Sequence, residues 1–177
     1  MTGDYGWRKP TNKIVVAGCP LVANYKVEDA TTMYAGRLVI KGTTDADIKV
    51  CPVTATSYPT GWLGYEQTSP SYRPATVDTI YLINSYAAVL SGGGFIIVAS
   101  LATGTPAKGA PLCQAAAGEV TSATTMTALV PTGSTTVLAT SAAPTCTMGG
   151  ALLPQGIIVG YMEMVGATGD VLVRSAI

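Results

Sequence analysis

The stretch Leu90–Ala102, L-S-G-G-G-F-I-I-V-A-S-L-A, decides how the chain is read. Three glycines before an apolar run admit a phosphate-cradling loop, a membrane span or a turn into a strand. A phosphate loop wants a helix after the glycines and, in the P-loop form, a Gly-Lys-Ser/Thr ending; neither follows here. The apolar part, Phe95–Ala102, is shorter than the roughly 20 residues a helix needs to cross a bilayer. What remains is a turn, or a close backbone contact, feeding a strand at Phe95–Ser100.

Working outward, the same pattern recurs along the chain. Short β-rich runs lie between Gly, Pro, Asn and Asp, and no stretch of a dozen residues keeps a helical three-four apolar spacing. Before the triple glycine the expected strands are Lys13–Ala17, Arg37–Lys41, Ile48–Val53, Gly61–Glu66 and Thr79–Asn84. After Phe95–Ser100 they are Leu112–Ala115, Val120–Ala123, Ala128–Val130, Thr135–Ala139, Gly156–Glu163 and Val171–Arg174. Lys26–Thr32 and Cys113–Ala117 could each hold one helical turn. Many short strands at near-regular spacing predict an all-β fold: a small β-barrel, β-tulip-like or sandwich domain.

Residues 1–30 read differently. Pro10 and Pro20 interrupt any regular element, and Tyr5 and Trp7 sit among glycines and charged residues. The expectation is an extended N-terminal arm over 1–30, docking through Tyr5, Trp7, Arg8, Lys9 and Lys13, ahead of a β-rich domain at 31–177. Within that domain, the Thr/Ala/Ser-rich segment 121–148 reads as a loop or insertion.

A faint internal repeat is visible. Lys41-Gly42 opens a segment leading to P-T-G-W-L-G-Y-E (Pro59–Glu66) and then V-D-T-I-Y-L (Val77–Leu82). Lys108-Gly109 opens another, leading to P-Q-G-I-I-V-G-Y-M-E (Pro154–Glu163) and then G-D-V-L-V (Gly169–Val173). The shared pattern describes two similar β-units closing one core, with chance similarity as the alternative.

Charge is unevenly spread. Of 20 charged residues, 15 fall in 1–80; the other five are Lys108, Glu119, Glu163, Asp170 and Arg174. A half so poor in charge points to surface covered by copies of the chain or by another protein. Glu163, Asp170 and Arg174 are expected at the rim of that contact. The net charge is zero, so no field draws in nucleic acid or an anionic membrane. None of the three asparagines, Asn12, Asn24 and Asn84, lies in a glycosylation acceptor site. The first residues lack a secretory signal's apolar stretch, which predicts synthesis in a cytoplasm.

Catalysis finds little to work with. The chain has no histidine, which removes Ser-His and Cys-His relays and an imidazole base. Cys19, Cys51, Cys113 and Cys146 are too far apart for a zinc ribbon; they read as buried free thiols, with one or two disulfides as the alternative. Asp45 and Asp47 are two apart, but no calcium loop follows, so they belong to a solvent-facing turn. Glu66 and Glu163, matched in the repeat, lack any glycosidase pattern. Tyr58, Trp62, Tyr65, Tyr72, Tyr81 and Tyr86 form an aromatic centre suited to packing and subunit contact, or to a sugar platform. No cofactor or metal is expected, and the chain does not read as an enzyme.

Three groups of residues carry a family resemblance. Asp29–Val50 (D-A-T-T-M-Y-A-G-R-L-V-I-K-G-T-T-D-A-D-I-K-V), followed by G-W-L-G-Y-E, resembles capsid decoration, or cement, proteins of tailed viruses of bacteria and archaea. L-S-G-G-G-F-I-I-V-A-S-L-A-T-G with K-G-A-P-L-C-Q-A-A-A-G-E-V-T is similar to that family's later half, as is the closing I-V-G-Y-M-E-M-V and D-V-L-V-R-S. The resemblance spans about residues 29–177. It implies a non-enzymatic homotrimer on the outer surface of the virion, bound to the major capsid protein and linking capsomers. Segment 121–148 departs from the pattern. The alternative is a head-fibre or adhesin-like surface module that binds host glycans.

Overall fold

In the computed structural model, which describes residues 10–29, 31–52, 58–123, 157–164 and 169–177, the triple glycine is a turn between two strands. Gly92, Gly93 and Gly94 all take positive φ (101°, 66° and 76°), a conformation open to glycine and strained for other residues. Gly93 and Gly94 donate their N–H groups to Ile177 O and Ser175 O at 3.0 and 2.9 Å, so the turn also grips the final strand.

Eleven strands are described. They are β1 (Val15–Ala17), β2 (Leu21–Val27), β3 (Leu38–Lys41), β4 (Asp47–Val50), β5 (Gly61–Leu63) and β6 (Tyr86–Ser91). After the glycines come β7 (Ile96–Thr103), β8 (Pro111–Gln114), β9 (Val120–Ser122), β10 (Ile158–Met162) and β11 (Gly169–Ser175). The described helix is one 3₁₀ turn, Ala116–Gly118. The protein is all-β, as expected, and the strands form two small five-stranded barrels.

The first barrel closes in the order β2-β4-β3-β5-β6. The second runs β7-β11-β10-β8-β9 and closes through a β7–β9 pairing, with β1 added on the outside of β7. Numbered within each unit, both barrels have the order first-third-second-fourth-fifth. In both, the first and third strands run parallel, β2 with β4 and β7 with β9. The other neighbours are antiparallel. The two units are topological copies. The Gly-Tyr words of the sequence repeat fall at the fourth strand of each, Gly64-Tyr65 just after β5 and Gly160-Tyr161 within β10. The flanking words do not align: Lys41 ends β3 whereas Lys108 precedes β8, and Val77–Leu82 is not a strand.

Strand periodicity divides the core. Successive residues face opposite sides of a sheet, so Val39, Leu63 and Val89 enter the first barrel's own cluster with Val27, Ile48 and Tyr81. Their neighbours Leu38, Trp62 and Leu90 face outward and join a larger cluster with Ile97, Leu101, Leu112, Val159, Val171 and Val173. The outer wall of one barrel is thus part of the core of the other. Gly36 (φ +82°) marks how close they come: a Cβ there would sit 2.2 Å from Val98 O.

Three sequence readings need correction. Thr79–Asn84 is turn and loop, and the strand begins at Tyr86. T-I-Y-L-I-N has the composition of a strand, but only Tyr81 is directed inward, while Leu82 and Ile83 are exposed. Y-A-A-V-L-S carries two alanines of low β-propensity yet is a strand, because it sits between β2 and β5 and buries Ala87 to Leu90. The stretch 1–30 is not one extended arm: β1 caps the second barrel and β2 is a wall of the first. Lys26–Thr32 shows no helical turn among its described residues, since β2 runs through Val27; the 3₁₀ turn does overlap the end of Cys113–Ala117. Residues 121 and 122 of the proposed insertion belong to β9. Candidate strands Ala128–Val130 and Thr135–Ala139 lie outside the described residues.

Candidate functional site

Several titratable groups are committed to structure. Glu66 accepts the main-chain N–H groups of Ile14 (3.1 Å) and Val15 (3.0 Å), capping the outer flank of β1. Arg37 bridges the barrels: it pairs with Glu119 at 2.8 Å and donates to Ala117 O, while Ser100 donates to the same Glu119 oxygen. Arg73 donates to the carbonyls of Glu66 and Thr68. Trp62, fully buried, donates its indole N–H to Ser175 Oγ at 3.0 Å, joining β5 to β11. Tyr81, also buried, donates to Gly64 O at 2.6 Å, and burial pushes its hydroxyl up to about 12.

No group of three or more acidic or cysteine side chains could hold a metal ion among the described residues. Cys51 is buried and free, as expected, and Cys113 is buried with its thiol donating to Ser122 O at 3.8 Å, whereas Cys19 is exposed; Cys146 lies outside the described residues. Burial pushes the Cys51 thiol up to about 11, which leaves it inert as a nucleophile near neutral pH. Asp45 lies in the expected turn and the half-buried Asp47 opens β4 just after it, with Thr44 Oγ1 donating to Asp47 at 2.8 Å. Glu66 and Glu163 do unrelated work.

Of the proposed contact residues, Tyr5, Trp7, Arg8 and Lys9 lie outside the described residues, and Lys13 borders a cavity beside β1. Glu163 and Arg174 meet in an exposed ion pair of 2.9 Å between β10 and β11. Asp170 sits at the other end of β11, on a cleft between the barrels with Tyr34, Arg37 and Asp78. The six-residue aromatic centre divides: Trp62, Tyr65 and Tyr81 are buried, while Tyr58, Tyr72 and Tyr86 are exposed. A sugar platform built on Trp62 is therefore ruled out.

Sequence reasoning missed where the exposed apolar surface lies. Among the described residues ten large apolar side chains are exposed, and nine fall between Val16 and Tyr86; the tenth is Tyr161. They gather on β1, β2 and the 80–86 loop, with Leu21 at 69% and Leu82 at 71% exposure. Two cavities flank β2. One, about 440 Å³, is lined by Val15 to Pro20, Val22, Glu66 and Gln67. The other, about 340 Å³, is lined by Asn24, Gln67, Ser69, Tyr72 and Tyr86. Tyr72 and Tyr86 are tilted at 59° with ring centres 5.4 Å apart. The signal that could have found this region is L-V-A-N-Y-K-V itself, a strand word with no charge in its first five residues.

Among the described residues Glu66 and Glu119 are held in structural contacts, the Cys51 thiol is buried, and two surface grooves flank β2. The chain belongs to the XM1 gp53 minor capsid protein family, whose model matches residues 8–171. No curated protein matches it. The family makes it a structural protein of the virion that associates with the capsid. No helix among the described residues is long and apolar enough to cross a membrane.

Proposed function

We propose that this minor capsid protein decorates the outside of the assembled shell as a homotrimer and ties neighbouring subunits of the major capsid protein together. The observation that carries this reading is the uncovered apolar surface of the first barrel, on a chain whose family is capsid-associated. Contiguous exposed apolar surface on a folded domain marks a protein contact. A protein that binds only the closed shell stabilises it by mass action, and three linked contacts add through effective concentration. Residues 1–9, with Tyr5, Trp7, Arg8 and Lys9, supply part of the grip. Glu163, Asp170 and Arg174 border the subunit contact.

Co-sedimentation with shells lacking the protein, together with light scattering, tests the reading. The expected results are saturable binding, a raised shell disruption temperature and a solution mass of three chains. Deleting residues 2–9 should abolish binding and leave that mass unchanged; this deletion spares Thr11, whose carbonyl accepts from Val77 N–H. A monomer without shell affinity overturns the proposal.

A further inference from the structure

The two barrels handle one equivalent strand flank differently. The first strand of each unit, β2 or β7, pairs along one side with the fifth strand, β6 or β11. On its other side only the C-terminal end is taken, by the third strand: Lys26 and Val27 by β4, Leu101 and Thr103 by β9. The N-terminal half of that side is left over. On β7 it is filled by β1, antiparallel, with Val15 opposite Ile97 and Ala17 opposite Ile96. On β2 no described strand fills it.

The main-chain groups on that flank can be identified. Lys26 N–H points toward β4, donating to Ala46 O at 2.9 Å, and Val27 N–H points toward Ser85 of the β6 side. Main-chain direction alternates along a strand, so Val22 and Asn24 share the flank of Lys26 and face the open side. Leu21 to Asn24 are all exposed. The remaining edge of β1, by contrast, is closed by the Glu66 carboxylate. An uncovered strand edge is a template for another chain, and among the described residues the β7 flank is paired while the matching β2 flank is not.

The surroundings of the flank are shaped for side chains. The 440 Å³ cavity holds Val22 and Val16, the 340 Å³ cavity holds Asn24, Tyr72 and Tyr86, and Gln67 lines both. Gln67 Oε1 is buried and has no hydrogen-bond partner. Alternate residues of an added strand lie about 7 Å apart on one face, which matches the step from Val22 to Asn24. Of the side chains lining the two cavities only Lys13 and Glu66 are charged, and Glu66 is occupied.

We propose that the open flank of β2 receives an extended, uncharged segment of a shell protein as an added strand, antiparallel as β1 is to β7. Val22 and Asn24 supply its main-chain bonds, one apolar side chain enters beside Val16, and a second lies against Tyr72 and Tyr86. A donor on the segment satisfies Gln67 Oε1. Among the described residues β1 is the strand that fits such an edge, and it is already engaged on β7; the capsid association of the family makes a shell protein the occupant. The inference rests on the reading that the protein binds the assembled shell.

The test uses the full chain and shells depleted of it. On binding, amide exchange across 21–25 should slow by about tenfold or more, as expected of a strand edge that becomes paired, while exchange across 96–101 should not change. Asn24→Pro removes the main-chain donor facing the open flank and the side chain that lines the second cavity, and Val22→Lys places a charge in the apolar cavity. Each should weaken co-sedimentation at least about tenfold, the loss expected when main-chain pairing or an apolar pocket carries the contact, with melting of the free protein as the control for folding. If the wild type binds but 21–25 exchange as before and both variants bind normally, the edge is not the contact and the capsid reading stands. If the wild type does not bind shells, both fall. If 21–25 become protected in the free protein as its concentration and mass rise, the occupant is a second copy and the assignment to a shell protein is overturned.

Discussion

The two barrels share strand order and strand sense, yet among the described residues the first strand of one is paired on its outer flank and that of the other is not. In the second, β1 covers the flank of β7 and Glu66 closes the flank of β1. In the first, the matching flank of β2 carries exposed Leu21 and Val22. The Gly-Tyr word shows the same divergence. Tyr65 is buried, its hydroxyl donating toward the carbonyls of Pro74 and Ala75, whereas Tyr161 is 45% exposed. Topology was copied; surface was not. The difference separates a unit whose first-strand flank is covered from one whose first-strand flank is exposed.

The sharpest way to break this comparison is at the seam. Trp62→Ala empties a fully buried site in the shared cluster and strands Ser175 Oγ without its indole donor. The expected loss is ~3–5 kcal/mol, read by urea denaturation, and wild-type unfolding should be one transition because the larger cluster draws on both barrels. Two separated transitions in the wild type would show that the seam does not couple them.

Next comes the paired test of the repeated word. Tyr65→Ala should cost ~3 kcal/mol or more, as for buried aromatics, and Tyr161→Ala about 0.5 kcal/mol or less, as for surface positions. Equal costs would mean that the barrels use this position alike. Glu66→Ala removes the acceptor of two N–H groups on β1 and should cost ~1–3 kcal/mol, with faster amide exchange confined to Ile14, Val15 and the β7 flank. The smallest effect is expected from Glu163→Gln. Its partner Arg174 is 55% exposed, and such pairs are worth about 1 kcal/mol or less, so thermal melts should barely move.

The class of fold was legible because Gly-punctuated runs such as G-G-G-F-I-I-V are short, apolar and free of helical spacing. Nine of the twelve expected strands overlap observed ones. The two that went unseen, β2 and β6, are neighbours in the first barrel. Neither alternates cleanly: β2 has an open flank and exposes its first four residues, while β6 buries both faces between two cores. Period-two patterning reports one wet and one dry face, so it is silent on strands with two of either. The repeat was visible only where a short word, Gly-Tyr, survived at the fourth strand. Low charge in residues 81–177 suggested covered surface there; among the described residues, nine of the ten exposed large apolar side chains fall between Val16 and Tyr86, a surface that charge counting does not reveal.

The placement of β1 has a consequence for the order in which the molecule is completed. Its strand partner is β7, so Val15 meets Ile97 only after the whole first barrel has been synthesised. Domains form as units during synthesis, so the first barrel can close while the earliest strand still waits. Until the second barrel arrives, β1 lacks its strand partner and is held through the Glu66 carboxylate and the link at Gly18 to Pro20. Where many copies are made together, that interval is the opportunity for one chain's first strand to finish its neighbour's barrel, the exchange that defines a domain swap.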